Sequence, residues 1–148
     1  MENTCLNKRL LILMKKLNLV INQHPIPQKR HRHSKWGTYD PNSKDKIIVK
    51  NIIKTQSKGF YTEKPVSVII DFNVLRPKSH YRTGKNSHLL KKTSPFFCFK
   101  YDLDNLAKFI LDCGTETLWK DDSQVVNLSL SKRWVDSDPS TNMTIYKI

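Results

Sequence analysis

The sequence predicts a mixed α/β domain in which one mixed β-sheet is packed with two or three helices, and three observations predict it. Stretches of alternating apolar residues and stretches of helical spacing interleave along the chain in the order β, α, β, α, β, β, with no internal repeat. A length of 148 residues is enough for one core and short for two. Hydrophobic residues at 38% and charged residues at 26% describe a soluble globular chain and exclude a disordered one.

Residues 1–16 read as a basic extension to a folded domain over residues 17–148. The longest apolar run, Leu10 to Met14, is bracketed by Lys8, Arg9, Lys15 and Lys16, and falls far short of the roughly 18 residues that cross a bilayer. Glu2 and the short apolar stretch make a poor secretory signal, and an organelle transit peptide is richer in Arg and Ser. The extension therefore reads as a helix or strand lead-in. Leu17 to Ile21 follows as a first strand, and His24-Pro25-Ile26-Pro27 stops regular structure.

Gln28 to Asp40 reads as a basic loop, and Tyr39 to Ser43 as a turn and cap. Lys44 to Gln56 has Ile47, Ile48 and Ile52, with Val49 and Ile53 less regularly, at helical spacing. Lys64-Pro65 opens a strand in which Val66, Val68, Ile70 and Phe72 alternate with Ser67, Ile69 and Asp71. Arg76 to Ser94 is a long polar, basic segment, suited to a mobile loop that orders against a phosphate backbone. Leu103, Leu106, Ala107, Ile110 and Leu111 form one helical stripe, with Gly114 expected as its C-terminal cap. Gln124 to Leu130 and Thr144 to Ile148 read as the closing strands.

Charge is distributed unevenly. Residues 1–100 hold 21 Lys and Arg against 5 Asp and Glu, a balance of +16, and residues 101–148 hold 5 against 8, a balance of −3. A basic body with a small acidic cluster suits a polyanion held by one part and processed by the other. The bland alternative is a generally basic surface. Lys29, Arg30, Arg32, Lys35, Arg76, Lys78, Arg82 and Lys85 are the candidate phosphate contacts, although any single Lys or Arg is more often a solvated surface residue. Trp36 and Tyr81 are candidates to stack on bases, whereas Trp119 and Trp134 read as core or interface packing. Cys5, Cys98 and Cys113 lack any paired spacing, which argues against a disulfide framework and a zinc site and for a reducing, intracellular compartment. The five histidines lie in polar loops without ligand spacing.

The acidic cluster carries the chemistry. Asp104, Lys108 and Asp112 are spaced four apart and share one helix face. Asp102 precedes them on extended backbone, and Trp119-Lys120-Asp121-Asp122 brings further carboxylates after a turn. Two or three carboxylates plus substrate phosphate oxygens make a sufficient site for Mg²⁺, a hard ion that keeps several waters. A divalent cation also relieves the repulsion among crowded acids. Lys108, one turn from Asp104, is placed to meet a phosphate. Each residue also admits a structural role: Asp102 or Asp104 as an N-cap, Asp104–Lys108–Asp112 as a solvated salt-bridge network, Asp121-Asp122 as a turn.

The segment Asp102-Leu103-Asp104-Asn105-Leu106-Ala107-Lys108, then Asp112, then Trp119-Lys120-Asp121-Asp122-Ser123-Gln124-Val125, resembles the RusA-type Holliday-junction resolvase (crossover-junction endodeoxyribonuclease) family. Pro25 to Arg30, Tyr39 to Lys44 and Arg76 to Tyr81 extend the resemblance over about residues 17–148. It implies a homodimeric, RusA-like α/β nuclease that makes paired symmetric nicks in four-way DNA junctions using Mg²⁺, with Mn²⁺ as a substitute and no small-molecule cofactor or membrane partner. It assigns Asp102, Asp104 and Asp122 as metal-binding carboxylates and Lys108 as the catalytic lysine. The chain departs from the family pattern at Tyr101, where Pro or Arg is common, and at the link Cys113 to Leu118, which bears on how Asp122 is presented. The competing expectations are an inactive nucleic-acid-binding protein of the same fold and a metal nuclease acting on forks, flaps or duplex DNA.

Overall fold

The computed structural model describes residues 15–148. The expected lead-in over residues 1–16, with Cys5, lies outside the described residues except for Lys15 and Lys16. Strand β1 (Lys16–Ile21) begins there, followed by β2 (Arg32–Ser34), β3 (Gly37–Tyr39), helix α1 (Ser43–Ser57), β4 (Val66–Leu75), helix α2 (Leu103–Gly114), β5 (Val125–Val135) and β6 (Ser140–Lys147). Three 3-10 turns, at residues 78–80, 84–86 and 122–124, punctuate the loops.

The main sheet has the order β1-β6-β4-β5. β6 is antiparallel to both β1 and β4, and β4 is parallel to β5. The parallel pair needs a crossover, and α2 lies within it. The predicted mixed sheet with two helices is therefore the fold. Alternation in β4 buries Val66, Val68, Ile70, Phe72 and Val74; Leu19 and Ile21 of β1 and Met143 and Ile145 of β6 extend the same apolar layer. Each such aliphatic side chain contributes about 1.5–3 kcal/mol when removed from water. α1 packs at the β1 side and α2 at the β5 side, and the helices touch each other.

Several expectations change. The basic loop Gln28 to Asp40 contains a small antiparallel hairpin, Arg32 pairing with Tyr39 and Ser34 with Gly37; its exposed polar residues lack the apolar alternation that marks a strand. Helix α1 turns Val49 and Ile53 inward and leaves Ile47 and Ile48 more than half exposed, so the less regular pair is the packing face. Gly114 is the last residue of α2 rather than a left-handed cap; Thr115 follows in extended conformation. A Cβ at Gly114 would lie 2.4 Å from Cζ2 of Trp119, so glycine is required there for the close approach of a fully buried ring. β5 runs five residues past Leu130 and β6 starts at Ser140. Cys98 and Cys113 are free and buried, and burial pushes the Cys113 thiol up to about 12. No helix among the described residues is long and apolar enough to cross a membrane.

Candidate metal centre and nucleic-acid interface

The acids at the two ends of α2 are treated differently. At its C-terminal end, Asp112 is 3.0 Å from Nζ of Lys46 on α1, and the same ammonium meets Asp40 at 2.6 Å. Burial alone would raise the Asp40 carboxyl, but hydrogen bonds from Lys46, the Asn42 N–H and Gln28, with the charge of Lys46, bring it down to about 2. At the N-terminal end, Asp102 occupies the N-cap position but makes no side-chain capping bond; its one side-chain hydrogen bond among the described residues is a long one, 3.4 Å, from Nδ2 of Asn105. Asp104 and Lys108, both exposed, form no ion pair with each other or with another described residue. The expected solvated network over Asp104, Lys108 and Asp112 is thus not formed, and the capping role of Asp102 is not exercised.

The pair Asp121-Asp122 divides in the same way. Asp121 caps the 3-10 turn: its carboxylate accepts from the Ser123 N–H at 2.8 Å, and Gln124 Oε1 accepts from the Asp121 N–H at 2.9 Å. Hydrogen bonding from Ser123 holds the Asp121 carboxyl below its ordinary value. Asp122 is exposed and has no ion-pair partner among the described residues. Gln124 also donates to the carbonyls of Thr62 and Lys64, 3.0 Å each, so it staples this turn to the approach of β4. The link before it is well held: Thr117 Oγ1 donates to the Cys113 and Gly114 carbonyls at 2.9 Å, Glu116 takes a left-handed φ of 66°, and its N–H donates to the Trp119 carbonyl at 2.7 Å. The turn carrying Asp122 packs against α2.

As a donor set, three exposed carboxylates without cations of their own fit a hard divalent ion. Among the described residues no three carboxylate, imidazole or thiol side chains converge closely enough to hold an ion by themselves. Like-charged acids repel one another where no cation lies between them.

The basic hairpin is anchored beside this corner. The Gln28 N–H donates to the Asn105 carbonyl at 2.9 Å, the Lys29 N–H to Asn42 Oδ1 at 2.7 Å, and Gln28 Nε2 to Asp40 at 3.1 Å. Arg32 and Lys35 are exposed on it, and Lys29 and Arg30 on the segment that leads into it. Trp36, at its tip, is 86% exposed, with Nζ of Lys35 4.9 Å from the ring centroid. The segment Arg76 to Ser94 folds around its two 3-10 turns and is tied by Arg82 N–H to the Leu89 carbonyl and by Tyr81 Oη to Asp136. Lys78 and Arg82 line an open cleft of about 440 Å³; Lys85 is exposed. Arg76 stands apart: its side chain is only 10% exposed and donates to the Pro95 carbonyl at 3.0 Å. Tyr81 is likewise committed to Asp136, whereas Trp134 is half-buried and Trp119 is core.

Three features escaped sequence reasoning. Phe96, Phe97 and Phe99 are 84%, 69% and 79% exposed, immediately upstream of Asp102. They sit in a stretch with neither helical nor strand period, which was the available sign that no core receives them. Gln124 and Lys132 act on main-chain carbonyls distant in sequence, and no local pattern marks such a partner.

The family model described as Endodeoxyribonuclease RusA matches residues 22–146. A comparison with curated proteins found no match. The chain belongs to the RusA endodeoxyribonuclease family, a family of DNA-cleaving enzymes.

Proposed function

We propose, from that membership and from the exposure of its motif acids and Lys108, that this protein is a Mg²⁺-dependent endonuclease that resolves four-way DNA junctions by paired symmetric nicks, acting as a homodimer. The observation that carries the reading is that Asp102, Asp104, Asp122 and Lys108, the motif residues, are exposed and form no ion pair among the described residues, while Asp40, Asp112 and Asp121 are engaged by neighbours. Repulsion between neighbouring exposed acids such as Asp102 and Asp104 is relieved by a cation that arrives with substrate.

When bound, a divalent ion there supplies Lewis-acid polarisation of the scissile phosphate and a water of lowered pKa. Asp102, Asp104 and Asp122 would hold it through hard carboxylate oxygens, and Mn²⁺ would satisfy the same donors. Lys108, one helical turn from Asp104, would meet the non-bridging oxygens, where its charge counts most as negative charge develops. Lys29, Arg30, Arg32, Lys35, Lys78, Arg82 and Lys85 hold the phosphate backbone, and the exposed rings of Trp36, Phe96, Phe97 and Phe99 offer stacking surface where bases are unpaired. A four-way junction has approximate two-fold symmetry, so an isologous pair presents two equal centres to opposing strands. The free cysteines fit a reducing, DNA-containing compartment.

The test incubates the protein with labelled four-way junction, fork and linear duplex, with and without Mg²⁺, beside Asp104→Asn. Symmetric nicks confined to the junction, lost in the variant while junction binding survives, are expected. Binding without cleavage in Mg²⁺ or Mn²⁺ would make the protein a non-catalytic binder, and equal cutting of all three substrates a general nuclease.

A further inference from the structure

One lysine beside the acidic corner is used neither for metal nor for DNA. Lys132 lies on β5 opposite Phe72 of β4, in the row Leu128, Leu130, Lys132, Trp134 that shares a sheet face with the buried residues of β4. Period-two alternation asks for another apolar residue where the row reaches the start of α2, and the chain places an ammonium there. That ammonium meets no carboxylate among the described residues. Its Nζ donates to the Tyr101 carbonyl and lies 3.5 Å from that of Lys100. Tyr101 is held at a φ of 66°, a left-handed conformation that strains a bulky side chain, and Asp102 follows at once in extended conformation. Upstream, Arg76 grips the Pro95 carbonyl and Trp134 Nε1 the Phe97 carbonyl, each at 3.0 Å. The segment entering the acidic corner is thus hung from side chains at and just beyond the C-terminal ends of β4 and β5.

We infer that Lys132 is a positioning residue: by gripping the Tyr101 carbonyl it holds the left-handed turn that aims Asp102 at the metal. The inference rests on the proposed role of Asp102 as a metal-binding carboxylate. A strained turn persists only where its surroundings over-determine it, and Asp102 has no capping bond of its own to fix it. Without Lys132 the turn relaxes and the carboxylate loses its direction, while the phosphate-binding surface stays as it was.

Position and charge predict opposite signs, and Mn²⁺ titration of the full chain without DNA, followed by calorimetry, separates them. Lys132→Met keeps the stem and removes the donor; Mn²⁺ binding is expected to weaken about tenfold, the usual scale for losing an outer partner of a metal site. Lys132→Arg should recover most of it. Lys132→Gln, which keeps a donor without the charge, should fall between the parent and Lys132→Met, and guards against misfolding of the latter. In junction nicking kcat should drop with KM unchanged. A cation acting only through its charge repels the ion, so Mn²⁺ binding that is unchanged or tighter in both Lys132→Met and Lys132→Gln overturns the inference. Asp102→Asn is titrated alongside: if it binds Mn²⁺ like the parent, the metal reading itself fails, whereas weak binding in Asp102→Asn with parental binding in the lysine variants sinks the role of Lys132 alone.

Discussion

The two ends of one helix face show what a charge does when it has a partner and when it does not. At the Asp112 end, two carboxylates close on Lys46, and the trio ties α2, α1 and the base of the basic hairpin together. At the Asp104 end, eight residues earlier on the same face, carboxylates and a lysine stand in solvent unpaired. Residue types and spacing are the same at both ends; only the neighbours from other elements differ. Charges of the first kind serve the fold and those of the second remain available to a ligand, and that distinction is invisible to spacing alone.

The strongest way to break the comparison is to neutralise one acid at each end. Asp104→Asn is expected to reduce Mg²⁺-supported junction nicking about a thousandfold or more, with stability within about 0.5 kcal/mol of the parent. Asp112→Asn should do the reverse, costing about 1 kcal/mol in urea melts while leaving most of the activity. Equal loss of activity in both variants would erase the distinction. Lys108→Met comes next, with an expected loss in kcat of about a hundredfold at unchanged junction affinity. A large fall in affinity instead would make Lys108 a phosphate anchor.

Gly114→Ala probes the scaffold rather than the charges. Its new methyl meets the Trp119 ring, and chemical denaturation should show a loss of about 1–3 kcal/mol. Acid sharpens the structural end further. Because the Asp40 carboxyl is depressed to about 2, its contribution is complete above its unfolded-chain pKa of about 4 and disappears as pH falls through about 2. Melting temperature followed between those limits should therefore fall less steeply in Asp40→Asn, which starts from a lower value. The smallest effect belongs to the hairpin: Arg30→Ala and Arg32→Ala should each reduce the slope of log affinity against log salt by about 1. An unchanged slope removes that arginine from the interface.

Much of the fold was legible because its core strands alternate cleanly: Val66, Val68, Ile70 and Phe72 identify β4 without help, and the stripe of α2 is equally plain. β2 and β3 were not, since a short solvent-exposed hairpin has no buried face to impose a period. The packing face of α1 was not legible because Ile47 and Ile48 look as apolar as Val49 and Ile53, and only the arrival of β1 and α2 decides which is covered. Candidate acids could be found by motif, but sorting them required neighbours distant in sequence. Lys46 claims Asp112, and Asp121 rather than Asp122 accepts the capping bond from Ser123. Arg76 was indistinguishable from its basic neighbours until the Pro95 carbonyl came to meet it.

The pairing of β1 with β6, Lys16 against Tyr146 and Ile21 against Thr141, bears on when the enzyme comes into being during synthesis. Every residue proposed to act on DNA precedes Ser140, yet among the described residues β1 pairs only with the strand that begins there. β4 reaches β1 only across that same strand. A nascent chain that has exposed the whole acidic corner still lacks the middle of its sheet, and the helices have no continuous layer to lie on. The strand that contributes none of the proposed chemistry is the one that joins β1 to β4.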